Sequence, residues 1–118
     1  EMHLKSATDD YETAILLLEA YSQKGQFDKV VSTADNWLQL FPSQPQFYYY
    51  AGLGYNQSKN FKKAKENLEL GMDNLVDDID LEIKIYIQLS AAYNGLGDLK
   101  KKEFYFSKAN ELVKKQKK

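Results

Sequence analysis

The only histidine, His3, stands beside the start of the sequence, and there is no cysteine. Thiolate metal sites, cysteine nucleophiles and disulfide frameworks are thereby excluded together. A catalytic triad or a two-histidine metal site would have to rest on one residue in a segment expected to fray. Carboxylates are more numerous. Asp73, Asp77, Asp78, Asp80 and Glu82 supply oxygens in number, but the run lacks the glycine and the terminal spacing of a calcium-binding loop, and helix capping accounts for it better. Glu12 and Glu19 lie seven residues apart on one helical face. As an acid–base pair they would need a pocket to shift one pKa, and solvent-facing glutamates have none. Asn94-Gly95 reads as a helix end and turn, and no glycine-rich phosphate loop occurs anywhere. The chain is therefore expected not to be an enzyme, with no catalytic residue, no cofactor and no metal.

All sixteen basic residues are lysine. Without arginine the planar, bidentate donor that suits phosphates and guanine edges is missing, so specific nucleic-acid recognition is not expected at a net charge of −1. That charge is unevenly spread: residues 100–118 carry eight lysines against Glu103 and Glu111, whereas residues 1–99 carry eight lysines against fifteen acids. The lysines of the last segment read as a solvated closing face. No apolar run approaches the roughly 20 residues that cross a bilayer, so no transmembrane segment is expected. The opening Glu1-Met2-His3-Leu4-Lys5 has no signal-peptide core, and a cytoplasmic or a periplasmic location fits the sequence equally.

The elements that must position these side chains are helical. A length of 118 residues, 43% of them hydrophobic, suits one domain with a core of its own. Ala14, Leu17, Leu18 and Tyr21 form one face of a helix over about 10–24, capped by Asp9 or Asp10 and stopped by Gly25. A second helix, about 27–41, buries Val30, Ala34, Trp37 and Leu38 and ends before Pro42. Pro45 opens a third, with Tyr48, Ala51, Gly52 and Tyr55 on one face. The pattern then returns. An offset of 34 residues superimposes Leu17 on Ala51, Tyr21 on Tyr55, Gly25 on Lys59, Phe27 on Phe61 and Ala34 on Leu68. A further offset of 38 carries Tyr48 to Tyr86, Tyr55 to Tyr93, Phe61 to Leu99 and Leu68 to Phe106. The four extra residues are about one helical turn, placed between Gly71 and Tyr86 as a lengthened helix rather than a long loop. One stretch reads otherwise in isolation: Ile79, Leu81, Ile83, Ile85, Ile87 and Leu89 alternate as in a strand. A lone strand among helices has nothing to pair with, and the repeat register requires a helix.

A 34-residue helix–turn–helix period with a tyrosine late in the first helix, a turn glycine and an aromatic opening the second resembles the tetratricopeptide repeat. Tyr21, Tyr55 and Tyr93 stand at the tyrosine position, Gly25 and Gly97 at the turn glycine, Phe27 and Phe61 at the following aromatic and Pro42 at the closing proline. Gly52, Ala64 and Gly71 stand where the family places small residues. Leu18, Val30, Trp37 and Lys102 depart from that pattern in the first and last repeats. The resemblance implies an all-α fold of three repeats, 11–44, 45–82 and 83–118, stacked as a short right-handed α-solenoid behind a flexible leader, 1–10.

It also implies a protein–protein interaction module that holds a partner peptide or helix in a concave groove lined by the first helix of each repeat. The sequence marks that face separately, because Gln46, Tyr49, Tyr50, Leu53, Asn56 and Gln57 recur at helical spacing on a side distinct from that of Tyr48 and Tyr55. The equivalent faces carry Glu12, Ile15, Leu16 and Glu19, and Lys84, Ile87, Gln88, Ala91 and Asn94. One family specialisation clamps the terminal carboxylate of chaperones with lysine, arginine and asparagine. The matching positions here hold Ile15, Glu19, Tyr50 and Gln88, with Lys84 as the one cation, so that ligand is not expected. The alternatives are a self-associating unit, a homo-oligomer in which the acidic leading end of one copy meets the basic last helix of another, and the C-terminal interaction domain of a larger protein.

Overall fold

The computed structural model describes residues 7–116. Six helices follow one another: α1 Ala7–Gln23, α2 Phe27–Leu40, α3 Pro45–Gln57, α4 Phe61–Asp73, α5 Ile79–Leu96 and α6 Leu99–Gln116. No strand occurs among the described residues. His3 lies outside them, and α1 begins at Ala7, three residues earlier than the sequence spacing places it.

The connections explain the order. Pro45 takes the first helical position of α3, where its missing N–H costs nothing. Within each pair the chain reverses through an equivalent turn of two or three residues, closed by hydrogen bonds from Gln26 N to Tyr21 O, Asn60 N to Tyr55 O and Asp98 N to Tyr93 O at 2.8–2.9 Å. Each turn needs a residue at positive φ, supplied by Gly25 (74°), Lys59 (64°) and Gly97 (82°). Glycine meets that requirement at no steric cost, and Lys59 does not. Asp78 caps α5, its Oδ1 accepting from Leu81 N at 3.0 Å. The four extra residues form the first turn of α5, which runs 18 residues against 13 for α3.

The same three hairpins place a lysine over the tyrosine eight residues earlier: Lys29 over Tyr21, Lys63 over Tyr55 and Lys101 over Tyr93, with Nζ 5.3–5.7 Å from the ring centre. Each pair contributes about 0.5–1 kcal/mol if it behaves as exposed cation–π contacts generally do.

Every helix packs on the next, and α3 also touches both α1 and α5, whereas α2, α4 and α6 do not approach one another. The molecule is elongated, 53 × 34 × 24 Å, and its core is split accordingly. One cluster joins Val30 and Ala34 of α2 to Phe47 and Ala51 of α3 and to Ala14 and Leu18 of α1. The other joins Ala64 and Leu68 of α4 to Leu81, Ile85, Leu89 and Ala92 of α5. Both clusters draw Tyr55 against them. Gly52 lies so close to the Leu68 side chain that a Cβ there would overlap it. Helix α5 contacts α3, α4 and α6, which is why its apolar residues ring the helix and imitate a strand period in the sequence. Gly95, read from the sequence as part of a turn, is inside α5 beneath the Phe61 ring, and the helix runs on to Leu96 with Gly97 as its left-handed cap. No described helix is long and apolar enough to cross a membrane.

Candidate functional site

The contacts of α3 with α1 and α5 set three strips of side chains beside one another, and the residues at issue lie along them. Tyr49 and Tyr50 are adjacent on α3, so their side chains diverge by about 100° around the helix and reach different neighbours. Tyr50 packs on the α1–α3 core and Tyr49 on the α4–α5 core. Their rings meet edge to face at 5.0 Å, and both remain partly exposed. Burial raises the pKa of both phenols. That of Tyr50 is pushed up to about 12, first by burial and then by Tyr49, Glu19 and Tyr11. Tyrosine phenols are protonated hydrogen-bond donors at neutral pH at their ordinary pKa, and burial carries that state further into alkali for these two.

On the α1 side, Tyr11, Glu12, Ile15, Leu16 and Gln46 line an open groove of about 390 Å³. Leu16 is 66% exposed in its wall. Glu12 and Glu19 are exposed along the same helix, and Ile15 is half-buried beneath them. On the α5 side, Lys84 is exposed with its Nζ 5.9 Å from the Tyr49 ring centre, and Ile87 is 46% exposed one turn further on. The face is thus apolar and aromatic along its middle, acidic along α1 and basic at Lys84.

Asn56 and Gln88 behave differently from the rest. Asn56 is 7% exposed, and its Nδ2 donates to both the backbone O and Oε1 of Gln88 at 3.0 Å. This pair fastens α3 to α5 and leaves the buried Asn56 Oδ1 without a partner. Asn56 therefore positions the neighbouring helix instead of offering its amide to a ligand. Leu53 is half-buried, and Asn94 is exposed in the last turn of α5, where its carbonyl accepts from Gly97 N. Tyr11 also belongs to the groove although the sequence analysis does not single it out; its spacing of four to Ile15 was the available signal. Among the described residues no three carboxylate or histidine side chains gather as metal ligands.

A second cavity, about 550 Å³, lies between α4 and α6, lined by Glu69, Met72, Tyr86, Phe104, Tyr105 and Lys108 among others. Its wall is an aromatic stack in which Tyr105 meets Tyr93 at 5.7 Å, Tyr86 at 5.8 Å and Phe104 edge-on at 5.0 Å. The Tyr93 hydroxyl donates to Glu69 at 2.7 Å and that of Tyr86 to Glu82 at 3.1 Å. The first bond ties α5 to α4, the second lies within α5, and the stack reads as packing. Compared with models of known protein families the sequence matches none, and no curated protein matches it at a significant level.

Proposed function

We propose that this chain is a non-enzymatic interaction module of tetratricopeptide-like repeats that holds a segment of another protein against the α1–α3–α5 face. The observation that carries this reading is the half-buried Tyr49–Tyr50 pair, set between the exposed apolar side chains of Leu16 and Ile87. Rigid amphipathic rings with apolar flanks supply contact area at low entropic cost, as binding hot spots generally do. The repeat assignment is supported by the turn and the tyrosine–lysine pair that recur in all three hairpins. First helices that touch while second helices stay apart favour a layer curving toward the first helices, in the manner of a short solenoid. Glu12 and Glu19 on one border and Lys84 on the other give the groove a polarity, so the partner segment should carry basic residues toward α1 and an acidic one toward α5.

The test is selection of peptides from a random display library on the native chain, followed by fluorescence anisotropy with Tyr49→Ala and Lys84→Glu. The expected peptides combine an aromatic or aliphatic centre with a basic flank. Tyr49→Ala should weaken them at least tenfold at unchanged helicity, roughly the loss from one truncated hot-spot aromatic. Selection that returns no peptide, or peptides held equally well by both variants, overturns the proposal.

A further inference from the structure

We propose that copies of this chain stack head to tail, the outer face of α6 in one copy seating on the outer face of α1 in the next. The two core clusters are the two junctions between successive hairpins, and they use equivalent residues. At the first, Val30 and Ala34 of α2 pack with Phe47 and Ala51 of α3; at the second, Ala64 and Leu68 of α4 pack with Ile85, Leu89 and Ala92 of α5. Offsets of 34 and 38 residues put Lys102 and Phe106 of α6 at the positions of the first set. The same offsets put Thr13, Leu17 and Ala20 of α1 at the positions of the second. At the two internal junctions Ala34, Leu68, Ala51 and Leu89 are wholly buried. At the two ends Phe106 is 49% exposed, Leu17 41%, and Leu99, the counterpart of Phe27 and Phe61, 60%. The last hairpin therefore carries one half of a junction and the first hairpin the other half.

Charge selects the occupant. Helix α6 holds Lys100, Lys101, Lys102, Lys108, Lys114 and Lys115 against Glu103 and Glu111; α1 holds Asp9, Asp10, Glu12 and Glu19 and no lysine. Lys102 in particular puts a cation where the internal junctions have Val30 and Ala64, an exchange that suits the acidic border of α1 better than a neutral partner. The first helix of a second copy supplies both the missing apolar half and the opposite charge. Such an interface is heterologous, so the chain of copies does not close on itself. The apolar positions it rests on, Leu17, Leu99 and Phe106, lie outside the Tyr49–Tyr50 groove, whose border shares only Glu12 and Glu19 with this end, so variants at those apolar positions test the stacking by itself.

Sedimentation equilibrium of the full chain tests this at low and high salt. The expected result is a mass that rises with concentration at about 50 mM salt and falls back toward the monomer at about 500 mM, because exposed charges are screened beyond a few ångströms there. Leu17→Lys blocks the α1 face and Phe106→Lys the α6 face, each at a solvent-exposed position, with Thr13→Lys and Leu99→Lys as second variants should either first one lose helicity by circular dichroism. Each variant alone should be monomeric, whereas an equimolar mixture should form a 1:1 dimer through the two intact faces and nothing larger. A native chain that stays monomeric at low salt up to millimolar concentration overturns the proposal. So does a mixture that stays monomeric, or a single variant that still dimerises.

Discussion

Lys59 is where one residue type and its backbone disagree. It takes φ 64° at the turn position that Gly25 and Gly97 fill in the other two hairpins. A side chain in the left-handed region crowds the following carbonyl, at a cost of roughly 1–2 kcal/mol, while glycine gives back about 0.5–1 kcal/mol through the unfolded state. Lys59→Gly should therefore stabilise the protein by about 0.5–1 kcal/mol, read as a higher denaturant midpoint at unchanged slope. A lower midpoint would mean that Lys59 makes a compensating contact. Asn56 shows the same tension in its hydrogen bonding: both of its donors are used on Gln88, and its buried Oδ1 has none to accept from. The α3–α5 contact keeps the pair in place despite that orphaned acceptor.

Between elements, α3 and α4 approach closely at Gly52 and Leu68. A methyl group at Gly52 would overlap a leucine that is itself wholly buried, so Gly52→Ala should destabilise by about 1–3 kcal/mol, the usual range for overpacking. Leu68→Ala alone should cost about 2–5 kcal/mol through the cavity it leaves. Combined, the two changes fill each other's space, and the double variant should be more stable than the sum of the single effects by about 1 kcal/mol or more. Chemical denaturation of all four proteins measures this, and simple additivity would show that the helices separate without resistance. The lysines over Tyr21, Tyr55 and Tyr93 act at the same scale, tying the opening of each second helix to the end of the first.

For the whole molecule, the aromatic residues set the response to alkali. Tyr50 and Tyr86 are pushed up to about 12, burial being the larger cause in both, with Glu82 next for Tyr86, and Tyr93 is raised further by burial and Glu69. An unfolded chain releases phenol protons near pH 10, before the folded chain does. The stabilisation is therefore complete below about pH 10 and is lost as pH rises toward 12. The thermal midpoint should stay nearly flat from about pH 8 to 9.5 and fall steeply above it, in step with tyrosinate absorbance. Tyr50→Phe, which keeps the ring and removes the titrating group, should make the fall shallower. An equal slope in that variant would assign the fall to lysine neutralisation instead.

The sequence by itself determined the six helices, because capping, proline and glycine positions and apolar spacing are local properties that each segment carries without its neighbours. It also marked the α3 face, since Tyr49, Tyr50 and Leu53 recur at helical spacing apart from the core side. The strand-like alternation of Ile79 to Leu89 was resolvable only through the repeat register, because its cause is a helix with three neighbours. Burial of Asn56 against Gln88, the place of Gly95 beneath Phe61 and the pairing of each lysine with a tyrosine eight residues earlier were decided by tertiary structure alone. Each depends on which helix lies against which and at what distance, and the spacing along one helix does not carry that information.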